Sequence, residues 1–323
     1  MRQVMVGAYG GPENLQVVEV PTPDPGPGEV LVRVAAAGVN YLDLLQRNGA
    51  GRLPLPLALG LEGAGRVVAT GSGVDDRAVG DRVCWAMVPG AGYAEFVRVP
   101  AARCVTVPDD VDLETAAAVL LQGLTADMLL RTTYPVSAGD GVVVQADAAR
   151  GGLVTQAAVS IGARVFAFAS TPEKLDRVRA MGVEDAFLST ELDEATAKIR
   201  TATGGGAHVV YDGVGRATFD AGLDMLRIRG FMVLYGASSG AVAPVDPQTL
   251  NAKGSLYLTR PGLNAHIADR QELEDRAARV FAWVRAGHVS VHIGGSYRFD
   301  DARRAHEAIG SRASTGKVLL VPG

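Results

Sequence analysis

A chain of 323 residues with 48% hydrophobic composition is long enough to bury two cores, which excludes a disordered or coiled-coil protein. Its 40 glycines follow no short period, which excludes a collagen-like chain and suits the turns of a loop-rich α/β protein. A formal net charge of −4 gives no general attraction to phosphate backbones or anionic membranes, so neither nucleic acid nor a membrane is an expected partner.

From Met1 to about Val107, valine-rich runs alternate with glycine and proline: Val17 to Val20, Val30 to Val34, Gly65 to Ala69 and Asp81 to Trp85. This spacing predicts a compact β domain. From about Gly139 to Thr259, strand candidates at Gly141–Ala146, Ala163–Ala169, Ala207–Asp212 and Arg229–Gly236 alternate with helices near 152–161, 172–181, 191–203 and 216–227. That alternation predicts a parallel sheet covered on both faces, with a ligand site at the carboxyl ends of its strands. The last part reads as a helix carrying Leu273, Ala277, Val280, Phe281 and Val284, a short strand at Tyr297–Phe299, a helix from near Asp300, and an apolar strand at Val318–Val321. These closing elements are too few for a core of their own and are expected to complete the first domain. The domain bounds are therefore set at 1–120 for a catalytic β domain, 121–260 for a dinucleotide-binding domain and 261–323 for a return segment.

No segment reads as a signal peptide or as about 18 consecutive apolar residues, so a cytoplasmic protein is expected. Cys84 and Cys104 lack the spacing of a disulfide framework or a zinc lobe and read as reduced, partly buried side chains. The five histidines are scattered and read as solvated or strand-face residues.

The run Gly38-Val39-Asn40-Tyr41-Leu42-Asp43-Leu44-Leu45-Gln46-Arg47-Asn48-Gly49 resembles the signature of NADPH:quinone oxidoreductases, the zeta-crystallin-like, zinc-free branch of the medium-chain dehydrogenase/reductase superfamily. The resemblance continues through Gly60–Gly65, Val79–Val83, Leu121–Ala126, Thr133–Val136, Leu250–Leu256, Leu258–Pro261 and Ser311–Lys317, in the family's order. It implies an α/β protein with a GroES-like β-rich catalytic domain plus a Rossmann doubly wound parallel sheet. Zinc-dependent relatives carry a cysteine and a histidine where this chain has Asn40 and Leu61, and neither is a zinc ligand, so no metal is expected.

The pyrophosphate of a nicotinamide cofactor is expected at the strand-to-helix turn ending Val144-Gln145-Ala146-Asp147-Ala148-Ala149-Arg150-Gly151-Gly152. The family places more glycine there, and this loop is one residue short. Two readings stand: a variant phosphate loop in which Arg150 offsets Asp147, or a structural turn that no longer holds a dinucleotide. At the next strand end Ser170 and Lys174 suit a 2′-phosphate, which favours NADPH over NADH, although Lys174 also reads as a solvated residue of a first helical turn. The resemblance places Asn40 and Thr125 near the nicotinamide. It lines the cofactor channel with Val214, Gly236, Ala237 and Ser238, and closes it with Leu258, Thr259 and Arg312. Asp43 and Arg47 match the signature but have the spacing of a helical ion pair.

The function expected is NADPH-dependent hydride transfer to a small molecule, a quinone or an α,β-unsaturated carbonyl, with Asn40 and Tyr41 catalytic; Tyr41 and Tyr93 also read as packing residues. The alternative is a family member with a degenerate cofactor loop that binds a ligand or catalyses a non-redox step. The resemblance further implies a homodimer, with Ser255-Leu256-Tyr257-Leu258 as the edge strand.

Overall fold

The computed structural model describes residues 1–145, 148–311 and 316–323, without the side chains of 148–151. In chain order its strands are β1 (Arg2–Val6), β2 (Leu15–Glu19), β3 (Glu29–Val39), β4 (Leu57–Ala58), β5 (Glu62–Thr70), β6 (Arg82–Ala86), β7 (Phe96–Pro100), β8 (Val105–Thr106), β9 (Gly141–Gln145), β10 (Arg164–Ala169), β11 (Asp185–Leu188), β12 (Ala207–Asp212), β13 (Leu226–Leu234), β14 (Tyr257–Thr259), β15 (Ile293–Arg298) and β16 (Lys317–Val321). The helices are α1 (Tyr41–Arg47), α2 (Leu113–Asp127, continued as a π-helix over Met128–Thr133), α3 (Ala148–Ile161), α4 (Pro172–Arg179), α5 (Leu192–Thr203), α6 (Phe219–Met225), α7 (Pro247–Ala252), α8 (Leu263–His266), α9 (Arg270–Arg285) and α10 (Ala302–Gly310). Two compact units result: Met1–Gln122 with Ile267–Phe281 and Val291–Gly323, and Gly123–His266 with Ala282–Ser290.

In the first unit a sheet runs β15-β16-β3-β5-β6-β8, with β7 also on β3, and a smaller sheet runs β2-β1-β4. Its core is a valine-rich cluster that includes Val4, Val32, Val67, Val83, Trp85 and Leu320, the pattern expected of β-branched side chains on facing pleated surfaces. The end of β3 lies between two antiparallel neighbours: Val39 is opposite Val318 of β16, and Ala36 is opposite Ala64 of β5. Three chain segments thereby converge where β3 gives way to α1.

The second unit is a parallel sheet in the order β11-β10-β9-β12-β13-β14. This is the Rossmann order, with the crossover point between β9 and β12. Strand β10 shows how its sequence serves both faces. Phe166 and Phe168 join the core formed with Ala195 and Ile199 of α5 and Leu223 of α6, while Ala167 and Ala169 pack with Leu175 and Val178 of α4. Alternate side chains of one strand point to opposite faces, so a continuous apolar run is buried twice.

The structure corrects two sequence readings. Strand β11 was not among the expected strands; Ala186 and Phe187 are buried, but the strand is only four residues long. The helix Leu113–Thr133 is long and apolar enough to cross a membrane by length and composition, where no such segment was expected, and 83% of its apolar window is buried within the protein. Gln122, Asp127 and Arg131 interrupt the apolar run and conceal it from a count of consecutive residues.

Candidate active site and cofactor cradle

Asn40 follows β3 and is the N-cap residue of α1, a place that favours asparagine because its side chain can serve the first free N–H groups. Asn40 forms a capping box with Asp43 at the third position of α1, its backbone N–H donating to the Asp43 carboxylate. Its Nδ2 donates to Glu62 Oε1 at 2.8 Å and, at the longer 3.3 Å, to the Gly38 carbonyl, while its Oδ1 accepts from Lys317 Nζ at 3.0 Å. Lys317 Nζ also forms an ion pair with Glu62 Oε1, and both charged side chains are buried. Glu62 opens β5 and Lys317 opens β16, so the two strands beside β3 each deliver one charge to the amide.

Gly38 makes this approach feasible. A Cβ there would lie 2.3 Å from Glu62 Oε1 and 2.7 Å from Lys317 Cε, closer than non-bonded atoms pack.

Below the amide lies a second buried chain of hydrogen bonds. Asp43 Oδ2 accepts from the Asn40 backbone N–H at 2.7 Å and from the Tyr93 hydroxyl at 3.1 Å, and the hydroxyl is 3.2 Å from His306 Nε2. His306 Nδ1 in turn is 3.2 Å from Arg47 Nη1, whose Nε donates to the Gly10 carbonyl at 3.0 Å. Burial pushes the Asp43 carboxyl up to about 7, against the lowering effect of the Asn40 N–H and the Tyr93 hydroxyl. Burial, helped by the Arg47 guanidinium, pulls His306 down to about 3.

These contacts revise two expectations. Arg47 turns to Gly10, Asn48 and His306, so Asp43 and Arg47 act through tertiary partners rather than as a helical ion pair. His306 is a buried member of this chain, not a solvated or strand-face residue. Tyr93 is buried and polar-bonded, whereas Tyr41 is 39% exposed on the first turn of α1. Glu62, Lys317 and His306 escaped the sequence reading because their partners lie far along the chain; a charged residue at the head of each of two valine-containing strands was the available signal.

In the second unit several of the residues named for the cofactor lie just beyond the carboxyl ends of the strands: Ser170 after β10, Val214 after β12 and Gly236 to Ser238 after β13. Ser170 follows β10, and Pro172 starts α4 with Thr171 as its N-cap, Thr171 Oγ1 accepting from the Lys174 N–H at 3.4 Å. This cap turns Lys174 back onto Ser170, with Nζ donating to Oγ at 3.2 Å, and leaves Lys174 only 7% exposed. Lys174 is therefore not the solvated side chain of the alternative reading.

After β12, buried Asp212 accepts from the Val214 and Gly215 N–H groups at 2.7 and 2.9 Å and from the Thr218 hydroxyl, which fixes the loop that begins at Gly213. Burial raises the Asp212 carboxyl, and those donors oppose the rise. Gly236, after β13, meets Gly213 directly: a Cβ at Gly236 would lie 2.3 Å from the Gly213 carbonyl oxygen. The Ser238 N–H donates to that same carbonyl at 3.3 Å. Val214, Gly236, Ala237 and Ser238 thus share one tight pair of loops. Leu258 and Thr259 lie apart from them on β14, the outermost strand of the sheet, and Thr125 lies in α2. Helix α3 begins at Ala148, ahead of the expected 152. The readings for the Ala148, Ala149, Arg150 and Gly151 side chains and for Arg312 concern parts outside the described residues.

Two family models match the chain: the alcohol dehydrogenase GroES-like domain over residues 26–109 and the zinc-binding dehydrogenase over residues 151–274. A quinone oxidoreductase of Salmonella typhimurium is 38% identical over 319 residues, covering 97% of each chain. This chain belongs to the quinone oxidoreductase family of medium-chain dehydrogenase/reductases. A 2-haloacrylate reductase of a Burkholderia species is 36% identical, with 97% of this chain and 96% of the relative covered. A mycobacterial protein solved in complex with NADPH superposes with a TM-score of 0.94 at 42% identity over the whole of both chains. The expected family and its two-part fold, GroES-like and Rossmann, are met.

The zinc in the second model's description finds no fitting residues at Asn40 and Leu61 of this family member. Asn40 offers its oxygen to an ammonium, Lys317 already neutralises Glu62 there, and Leu61 is a buried hydrocarbon. Among the described residues no group of three histidine, cysteine or acidic side chains could hold a metal ion. A dinucleotide does fit. The paired cation and hydroxyl of Lys174 and Ser170 suit a phosphate monoester, and Gly236 packs so closely on the Gly213 backbone at the strand ends that no side chain fits between them.

Proposed function

We propose that the chain is an NADPH-dependent reductase of quinones or α,β-unsaturated carbonyls. The observation that carries this reading is the Lys174–Ser170 donor pair at the end of β10, held by the Thr171 cap. It is supported by the NADPH complex of the mycobacterial neighbour and by the names of the quinone oxidoreductase and 2-haloacrylate reductase relatives.

Ser170 and Lys174 bind the 2′-phosphate, and Val214 with Gly236, Ala237 and Ser238 lines the channel; Asn40, Thr125, Leu258 and Thr259, together with Ala148, Ala149, Arg150, Gly151 and Arg312 read from the sequence alone, are the remaining cofactor contacts. The bound cofactor supplies the hydride. On the first unit, the acceptor oxygen takes a hydrogen bond from the Tyr41 hydroxyl. It takes another from the Asn40 amide hydrogen, which the Gly38 carbonyl holds only at 3.3 Å. These neutral donors stabilise the developing phenolate or enolate without a metal, and water supplies the proton.

We keep the three-segment domain organisation, and a homodimer through β14, where Tyr257 is 51% exposed, as parts of this reading. The test is turnover: purified protein should oxidise NADPH in the presence of a benzoquinone or a 2-substituted acrylate, and NADPH stable against both classes would refute the assignment.

A further inference from the structure

The buried ion pair beside Asn40 has no part in the chemistry just described, yet it is held from two flanking strands and admitted only by a glycine at position 38. An asparagine amide can rotate end for end with little change in shape, exchanging an acceptor for two donors. At Asn40 the two ends meet opposite charges: Lys317 Nζ lies 3.0 Å from Oδ1 and Glu62 Oε1 lies 2.8 Å from Nδ2. Rotation would set the NH2 group against an ammonium and the carbonyl oxygen against a carboxylate. Each contact alone biases the amide; the pair excludes the rotated form.

The arrangement is costly in two ways that packing alone does not require. Two charges are taken out of water, and Glu62 Oε2 is buried with no hydrogen-bond partner. A glycine is needed at position 38 to admit both side chains. Replacing the charges with hydrocarbon of similar shape would serve the β-sheet core as well.

We infer that Glu62 and Lys317 are positioning residues whose role is to fix the Asn40 amide with its nitrogen, not its oxygen, available to the acceptor. This inference rests on the reading of Asn40 as an oxygen-orienting donor. The orientation leaves one Nδ2 hydrogen on the long Gly38 contact, the one an incoming ligand oxygen can take over, while Glu62 anchors the other. A rotated amide would present a lone pair to a developing oxyanion and oppose the reaction.

Removing one charge leaves the other buried and unpaired, so Lys317→Met and Glu62→Gln alone should lower the melting temperature whatever the role of the pair. The informative variant is the double substitution Glu62→Gln with Lys317→Met, which leaves no uncompensated charge. If the pair only supports the fold, kcat returns together with the melting temperature. If it positions Asn40, the melting temperature recovers relative to the singles while kcat stays down by about tenfold or more, with the Kd for NADPH unchanged, because the donor to the oxyanion is no longer fixed.

Gly38→Ala is the second arm. It keeps Asn40, Glu62 and Lys317 but inserts a methyl where the two charged side chains approach, and it should lower kcat with little change in KM. Wild-type kcat in either the double variant or Gly38→Ala would overturn the positioning role. A wild-type protein that turns over neither a quinone nor an enone would instead overturn the reading of Asn40, and is distinguished by appearing before any substitution is made.

Discussion

The Tyr93 hydroxyl donates to Asp43 Oδ2 at 3.1 Å and sits 3.2 Å from His306 Nε2, so one phenol connects an acid and a base that burial displaces in opposite directions. Asp43, raised from 3.8 to about 7, favours the folded state fully below pH 3.8, and that contribution is lost as pH rises through 7. His306, lowered from 6.5 to about 3, favours it above pH 6.5, and that contribution is lost as pH falls through 3. Between pH 3.8 and 6.5 the two slopes oppose each other. His306→Gln should therefore unmask Asp43. In urea unfolding from pH 7 to 4, the variant should gain stability relative to the wild type, by up to about 3 kcal/mol. A difference that does not change with pH would contradict this.

Lys174→Ala should discriminate between cofactors. Its Nζ pairs with Ser170 at the end of β10, where the 2′-phosphate is proposed, so the Kd for NADPH should rise by about tenfold or more and that for NADH by no more than about twofold. Nicotinamide fluorescence reads both, and equal losses would remove Lys174 from the phosphate site.

Gly236→Ala should damage the cradle without unfolding the sheet. The new methyl would fall 2.3 Å from the Gly213 carbonyl and force the two loops apart. We expect NADPH binding weakened by about tenfold and an unchanged far-ultraviolet circular dichroism spectrum, since overpacking at a strand end costs about 1–3 kcal/mol. Unaltered affinity would place the cofactor elsewhere.

Much of this architecture was legible from residue patterns. The expected strand Ala207–Asp212 matches β12 at both ends, because a run of apolar residues closed by an aspartate and a glycine marks its own limits. Strand β13 instead begins at Leu226, inside what reads as the preceding helix, because Arg227, Ile228 and Arg229 are all exposed and break the apolar pattern of a buried strand. The candidate site was legible as a signature around Asn40 but not as a mechanism. Glu62 is 22 residues away and Lys317 is 277 residues away, and only the antiparallel register of β5 and β16 on β3 brings them together. Local pattern cannot report such a meeting.

Tyr41→Phe separates chemistry from packing on α1. Tyr41 is exposed, so loss of its hydroxyl should change stability by no more than about 0.5 kcal/mol. If the hydroxyl orients the acceptor oxygen, kcat should still fall by about tenfold. Steady-state kinetics with a quinone, alongside thermal melts, decides between the two; unchanged kcat would leave Tyr41 a surface residue.

Prolonged dialysis against a strong chelator should leave quinone reduction unaltered, because Lys317 occupies the electrostatic role beside Glu62 that a cation would otherwise fill. Loss of activity restored by added zinc would overturn that account of the Asn40 environment.

The most direct measurement is a fluorescence titration of the full chain with NADPH followed by addition of a benzoquinone to the saturated complex. A saturable enhancement reaching one NADPH per chain, discharged when the quinone is added, is the predicted result. A signal that never saturates, or a bound NADPH that survives both quinone and enone, would contradict reductase function.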